Sequence, residues 1–185
     1  TGTYPIFDEE NQAIAKKTLE YLQVPSESIS VGLSVRPPCR MEIHLRPNPI
    51  ILDVAHNPDG LSALVKAVKH KYPGKTVRIV CGLSSNKDII FCLASLKGHF
   101  THYHFVEAKN NRAMPARYLG NAMQRLGIHS SDISVHPKIE DGILNALKSN
   151  EIVVVSGTFF IMSEVRKALE ISEPFDLVDM NEQKL

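Results

Sequence analysis

Asp53 and His56 stand in ILDVAHNPDG, residues 51–60, directly after a run of residues of the kind that proteins bury. A carboxylate at the end of an apolar strand needs partners, because burying it unpaired is costly, and an imidazole beside it can bind a ligand or satisfy backbone groups. Such a pair serves either a ligand, as acceptor and proton carrier, or the surrounding backbone groups, as bracing. The next three residues require no ligand: Asn57 suits a helix N-cap, Pro58 the first helical position and Asp59 the positive end of the helix dipole. Other groups with chemical capacity follow later apolar runs: Ser84 and Lys87 in GLSSNKD, Arg112 in EAKNNRAMP, Ser156 and Thr158 in SGTFF. The plainer alternatives are helix starts capped by Ser84, Asn86 or Thr158, and a solvated loop around Arg112. His102 and His104 alternate on one apolar run with His99 nearby, a pattern that reads as a His-rich strand face, and no metal site is assigned to it.

These residues are useful only if the fold gathers them. Periodicity predicts a helix from Phe7 to Leu22 with Ile14, Ala15, Thr18, Leu19 and Leu22 on one stripe, and a short helix from Ser28 to Leu33. RPPCR then forces an extended path, and MEIHL alternates as a strand. From IILDV onward strands and helices alternate. The strands lie in IILDV, TVRIVCGL, HYHFVEA, DISVH and EIVVVSG; the helices fall near 58–70, 87–97, 115–126, 139–147 and 159–169. This order predicts an α/β, doubly wound domain with a mainly parallel sheet covered on both faces, and the runs IVC and IVVV suit central strands. In an open parallel sheet, ligands bind beyond the carboxyl ends of the strands, so the loops carrying Asp53, His56, Ser84, Lys87, Arg112, Ser156 and Thr158 are expected on one rim. Residues 1–46 are expected to form a separate preceding element, 47–185 the main domain, and the polar tail after Pro174 to fray.

Composition narrows the partners. Lys and Arg total 21 against 20 Asp and Glu, with no long block of one sign, which argues against nucleic acid or an anionic membrane as partner and favours small molecules. Cys39, Cys81 and Cys92 are odd in number and lack CxxC spacing, as suits reduced thiols. No apolar run approaches the ~20 residues that cross a bilayer and no signal-peptide pattern opens the chain, so a cytoplasmic protein is expected. GxGxxG is missing, which argues against a dinucleotide oxidoreductase, and so is the phosphate-cradling GxxxxGK[ST].

Read in order, ENQAIAKKTLEYL, PPCRMEIH, ILDVAHNPDG, VCGLSSNKDI and VVVSGTFFIMSEV resemble the end of the central domain and the whole carboxyl-terminal domain of folylpolyglutamate synthases and dihydrofolate synthases, in the Mur ligase superfamily. DVAHNPDG is similar to the family's D-G-A-H-N-P, and Arg40 stands where that family carries an Arg upstream of the Asp. Val54 replaces the usual Gly of that motif, Cys39 the Gly before the Arg, and Thr158 a common Ser. The resemblance implies a Rossmann-like glutamate ligase domain of an ATP-dependent amide ligase, with the P-loop and most of the central ATPase domain outside this chain. It implies ATP and Mg2+, the latter bound mainly by the missing central domain, and as substrates folate or dihydropteroate and L-glutamate. By the same resemblance Asn11 corresponds to an adenine-side Asn, Arg40 to the Arg reaching ATP phosphates and Asp53 to the carboxylate on the ribose hydroxyls. His56, the catalytic candidate, and Thr158 correspond to groups facing the incoming glutamate, with Lys87 and Arg112 as further contacts to anionic substrate. The alternatives are a Mur-type ligase with a different acceptor and a non-catalytic Rossmann-like binding module.

Overall fold

The computed structural model describes residues 6–35 and 37–172; the tail after Pro174 lies outside them. The chain runs α1 (Ile6–Tyr21), α2 (Ser26–Ser34), β1 (Glu42–Leu45), β2 (Pro49–Leu52), α3 (Pro58–Lys71), β3 (Val77–Cys81), α4 (Ile89–Leu96) and β4 (His102–Val106). It continues through α5 (Ala116–Arg125), β5 (Ile133–His136), α6 (Ile139–Ala146), β6 (Ile152–Ser156) and α7 (Met162–Ala168). The strands form one six-stranded sheet in the order β1-β2-β6-β3-β4-β5, parallel throughout except for β1.

Side-chain alternation splits the core between two faces. Ile51, Ile79, Tyr103, Phe105, Ile152 and Val154 pack with residues of α3, α4 and α5. Ile50, Leu52, Val80, Val106, Val153 and Val155 pack with residues of α6 and α7. Every residue of β6 is buried, as a central parallel strand covered on both faces requires. The doubly wound α/β fold expected from the alternating pattern is therefore the observed one.

Three local expectations need correction. The alternation in MEIHL predicts a strand but gives no partner for it, and grouping it with the preceding helices is wrong. β1 pairs antiparallel with β2, from Glu42 opposite Leu52 to Leu45 opposite Pro49, and forms the edge of the main sheet. The stripe on α1 is only partly covered: Ile14 is 66% and Leu22 63% exposed, because the principal packing partner of α1 is α2 rather than the sheet. Finally, the helix expected over 159–169 opens as a 3-10 turn, Phe159–Ile161, capped by the Thr158 hydroxyl before α7 begins.

Helix α3 starts where its sequence dictates. Asn57 Oδ1 accepts the Gly60 N–H at 2.7 Å, Pro58 occupies the first turn, and Lys69, His70 and Lys71 lie in the last, at the negative end of the dipole. No helix among the described residues is long and apolar enough to cross a membrane.

Candidate nucleotide and glutamate site

Because β2, β3, β4 and β6 are parallel, the loops after them leave the sheet at one edge, and hydrogen bonds join those loops to each other. Asp53 extends β2 by one residue, its N–H donating to Val155 O at 3.0 Å. Asp53 is 8% exposed, and its carboxylate accepts two backbone N–H groups, Met41 on Oδ2 at 2.9 Å and Ala55 on Oδ1 at 2.8 Å. Burial pushes this carboxyl above the usual range, opposed by those two N–H groups and the charge of Arg40. Val54 N–H donates to Cys39 O at 2.9 Å, so residues 39–41 are laced to 53–55.

This lacing answers why Arg40 accompanies Asp53. The antiparallel β1 delivers the residues before Glu42 to the carboxyl end of β2, and the bonds to Asp53 and Val54 hold them there. Cys39 and Met41 have φ of +58° and +48°, in the left-handed region that costs a non-glycine residue on the order of 1–3 kcal/mol. Arg40, between them, is exposed at the rim. Cys39 itself is 2% exposed and packed in the core, with a backbone conformation of the kind that glycine favours.

His56 Nδ1 lies 2.9 Å from Val54 O. A carbonyl only accepts, so Nδ1 carries a proton, and the neutral tautomer this contact selects has Nε2 as its acceptor. Ser156 Oγ and Gly157 N–H both donate to Ala55 O, at 3.1 and 2.9 Å, which ties the end of β6 to the Asp53–His56 loop. Gly157 must be glycine: its φ is +110°, and a Cβ would stand 2.3 Å from the carbonyl oxygen of Gly82. Thr158, 5% exposed, shares a hydrogen bond with Ser84 across 3.3 Å and caps the following 3-10 turn. Both functional and capping expectations for Thr158 thus fall on one buried hydroxyl.

The remaining candidates are distributed around this centre. Lys87 is half-buried in the turn after β3, its N–H donating to Ser84 O at 3.2 Å. Arg112 is exposed, and its carbonyl accepts Ser85 N–H at 2.7 Å, joining the loops after β3 and β4. Asn11 is exposed on α1 and is not among the groups that these loop contacts gather. His102 and His104 do share a face, but of the sheet's interior: His102 Nε2 is 2.8 Å from Ser134 Oγ, and His104 Nδ1 is 3.4 Å from His136 Nε2. Among the described residues no group of three or more His, Cys, Asp or Glu is arranged to hold a metal ion. All three cysteines are buried free thiols, and burial pushes Cys92 up to about 11, which suits packing rather than reactivity.

Sequence reasoning missed two residues that shape this rim. Glu42 accepts Cys39 N–H at 2.8 Å and is gripped by Arg166 of α7, whose Nη1 lies 2.7 and 2.8 Å from the two carboxylate oxygens. No spacing rule links residues so far apart, and Glu42 reads only as one polar position of an alternating strand.

The profile of the Mur ligase glutamate ligase domain matches residues 39–159. The chain belongs to that family. Arg40, Asp53, His56, Lys87, Arg112 and Thr158 lie within the match, and Asn11 lies outside it. The dihydrofolate synthase/folylpolyglutamate synthase of Bacillus subtilis is 25% identical over 169 residues, covering 87% of this chain and 39% of its own length. A crystal structure of Mycobacterium tuberculosis folylpolyglutamate synthase complexed with ADP and AMPPCP shares the fold, with a TM-score of 0.71 at 22% identity over 83% of this chain and 37% of that one. A bifunctional folylpolyglutamate synthase/dihydrofolate synthase with Mn, AMPPNP and L-glutamate bound superposes with a TM-score of 0.70 at 27% identity over 82% of this chain and 37% of its own. The chain therefore spans about two fifths of the curated relative's length, 39%.

Proposed function

We propose that this chain supplies the carboxyl-terminal part of an ATP-dependent folate:L-glutamate amide ligase. The observation that carries this reading is the lacing of residues 39–41 to 53–55, which sets the Arg40 backbone against Asp53, on the loop that also carries His56. Its relatives in the Mur ligase glutamate ligase family supply the reaction class. In that reaction ATP activates the acceptor carboxylate as an acyl phosphate, and the amine of L-glutamate displaces phosphate.

The roles of this chain's residues follow from their chemistry. Arg40 offers a planar guanidinium to phosphate oxygens as their charge shifts, a pairing suited to bidentate hydrogen bonds. Each carboxylate oxygen of Asp53 already accepts one backbone N–H; a carboxylate has about four lone-pair sites, which leaves acceptor capacity for ribose hydroxyls. Asn11 is assigned to the adenine side. His56, its tautomer set by Val54 O, offers Nε2 to take a proton from the incoming ammonium group of glutamate and so free the amine that attacks, and Thr158 and Ser84 orient the same substrate. Lys87 and Arg112 offset the charge of anionic substrates. Mg2+, which accompanies the ATP phosphates, is assigned mainly to the central ATPase portion of the whole protein. Residues through α2 belong to the end of that portion, with the boundary in the proline-rich stretch before Cys39, because β1 hydrogen-bonds into the sheet.

The test is glutamate addition by the intact gene product, assayed in parallel on dihydropteroate, a reduced folate and a peptide-type carboxylate acceptor. Wild type should use a pteridine acceptor. Asp53→Ala should abolish turnover, and His56→Ala should lower kcat by about 100-fold, in the usual range for loss of a general base, with little change in ATP affinity. Unchanged kinetics in Asp53→Ala would sink the assignment, and use of only the peptide-type acceptor would move the chain to a different ligase.

A further inference from the structure

Arg40 is exposed, yet its backbone is held by an ion pair that reaches from α7, which packs in the same core cluster as Cys39. Arg166, on α7, has 6% of its side chain exposed and grips both oxygens of Glu42, while its Nη2 donates to Ser172 O at 2.8 Å. Glu42 Oε2 accepts Cys39 N–H at 2.8 Å, and Oε1 lies 2.7 Å from His44 Nε2. On the other side of Arg40, Met41 N–H donates to Asp53. The residues flanking Arg40 are thus each pinned by a carboxylate, and both stand in the left-handed region that non-glycine residues avoid. Such a backbone persists only when its surroundings over-determine it.

From this geometry we infer that Glu42 and Arg166 are positioning residues for Arg40, a clamp that fixes the guanidinium toward the nucleotide phosphates. This rests on the role proposed for Arg40. Glycine adopts a left-handed backbone without a steric penalty; Cys39, which carries a side chain, does not, and the Glu42 carboxylate that accepts its N–H supplies the restraint. Burial works against the charge of Glu42, yet the Cys39 N–H, Arg166 and His44 together hold its carboxyl below the usual range, as expected of an anion used as an acceptor. The clamp also joins the two sides of the rim, because α7, which carries Arg166, follows directly from the turn capped by Thr158.

The experiment compares Glu42→Gln, Arg40→Ala and the double variant in the intact gene product, measuring KM for ATP, kcat and amide hydrogen exchange. Gln keeps the shape of Glu42 but turns an amide N–H2 toward Arg166 or Cys39. Glu42→Gln should raise KM for ATP about tenfold, the loss of one charge-assisted hydrogen bond, and speed exchange at the Cys39 and Met41 amides. In the double variant the effect on KM should not exceed that of Arg40→Ala alone, since the clamp acts only through that residue. A merely structural role would lower Tm and leave KM for ATP unchanged; that outcome, with Arg40→Ala impaired, overturns the clamp alone. If Arg40→Ala itself binds ATP normally, the role proposed for Arg40 fails and takes the clamp with it. Should Glu42→Gln not fold, Arg166→Lys, which keeps the charge but loses the two-oxygen grip, is read in the same way.

Discussion

Acid should destabilise this protein in part through a buried histidine. His104 on β4 is 0% exposed, its ring 4.5 Å from that of His102 and 5.5 Å from that of His136. Its Nε2 has no hydrogen-bond partner among the described residues. Burial, reinforced by His102, His136 and Arg78 and only partly opposed by Glu151, holds the ring down to about 3, against an ordinary 6.5. Between those values the unfolded chain binds a proton that the folded chain refuses. Stability from this group is therefore complete above pH 6.5 and is lost as pH falls toward 3. Integrating the linkage from pH 7.5 to pH 5 gives a loss of about 2 kcal/mol from His104 alone. Urea unfolding at these two pH values, for wild type and His104→Leu, measures it. The variant should lose about 2 kcal/mol less than wild type between them, since Leu removes the titration and the unsatisfied nitrogen together. An identical pH dependence in the two proteins would refute the reasoning.

Other outcomes follow from the same contacts. Gly157→Ala should lower stability by about 2 kcal/mol or more, read as a urea midpoint shift, because φ of +110° and a Cβ 2.3 Å from Gly82 O leave no relaxed position for it. Asn57→Ala should cost about 1 kcal/mol in thermal unfolding through loss of the α3 cap.

Much of the fold was readable in the residues. IVVV and IVC are apolar without alternation because their strands are buried on both faces, and Asn57-Pro58-Asp59 marks the start of α3 unambiguously. The rim was readable for a topological reason: in a parallel sheet every strand delivers its following loop to the same edge, so Asp53, Ser84, Arg112 and Thr158 had to emerge together. The illegible part depends on pairing across long separations. MEIHL shows the period of a strand but not that β2 is its neighbour. Nothing in the local sequence announces that Glu42 meets Arg166, that Cys39 and Met41 turn left-handed, or that both Asp53 oxygens already hold backbone N–H groups. The stripe on α1 was legible as a stripe, but its partial exposure depends on what packs beside it.

A structure of the intact protein with a non-hydrolysable ATP analogue tests the central claim most directly. With the analogue bound, the Arg40 guanidinium should lie about 3 Å from a phosphate oxygen, with the Asp53 carboxylate at the ribose hydroxyls. A nucleotide bound away from this rim, or Arg40 turned from it with the rim closed around the ligand, would contradict it.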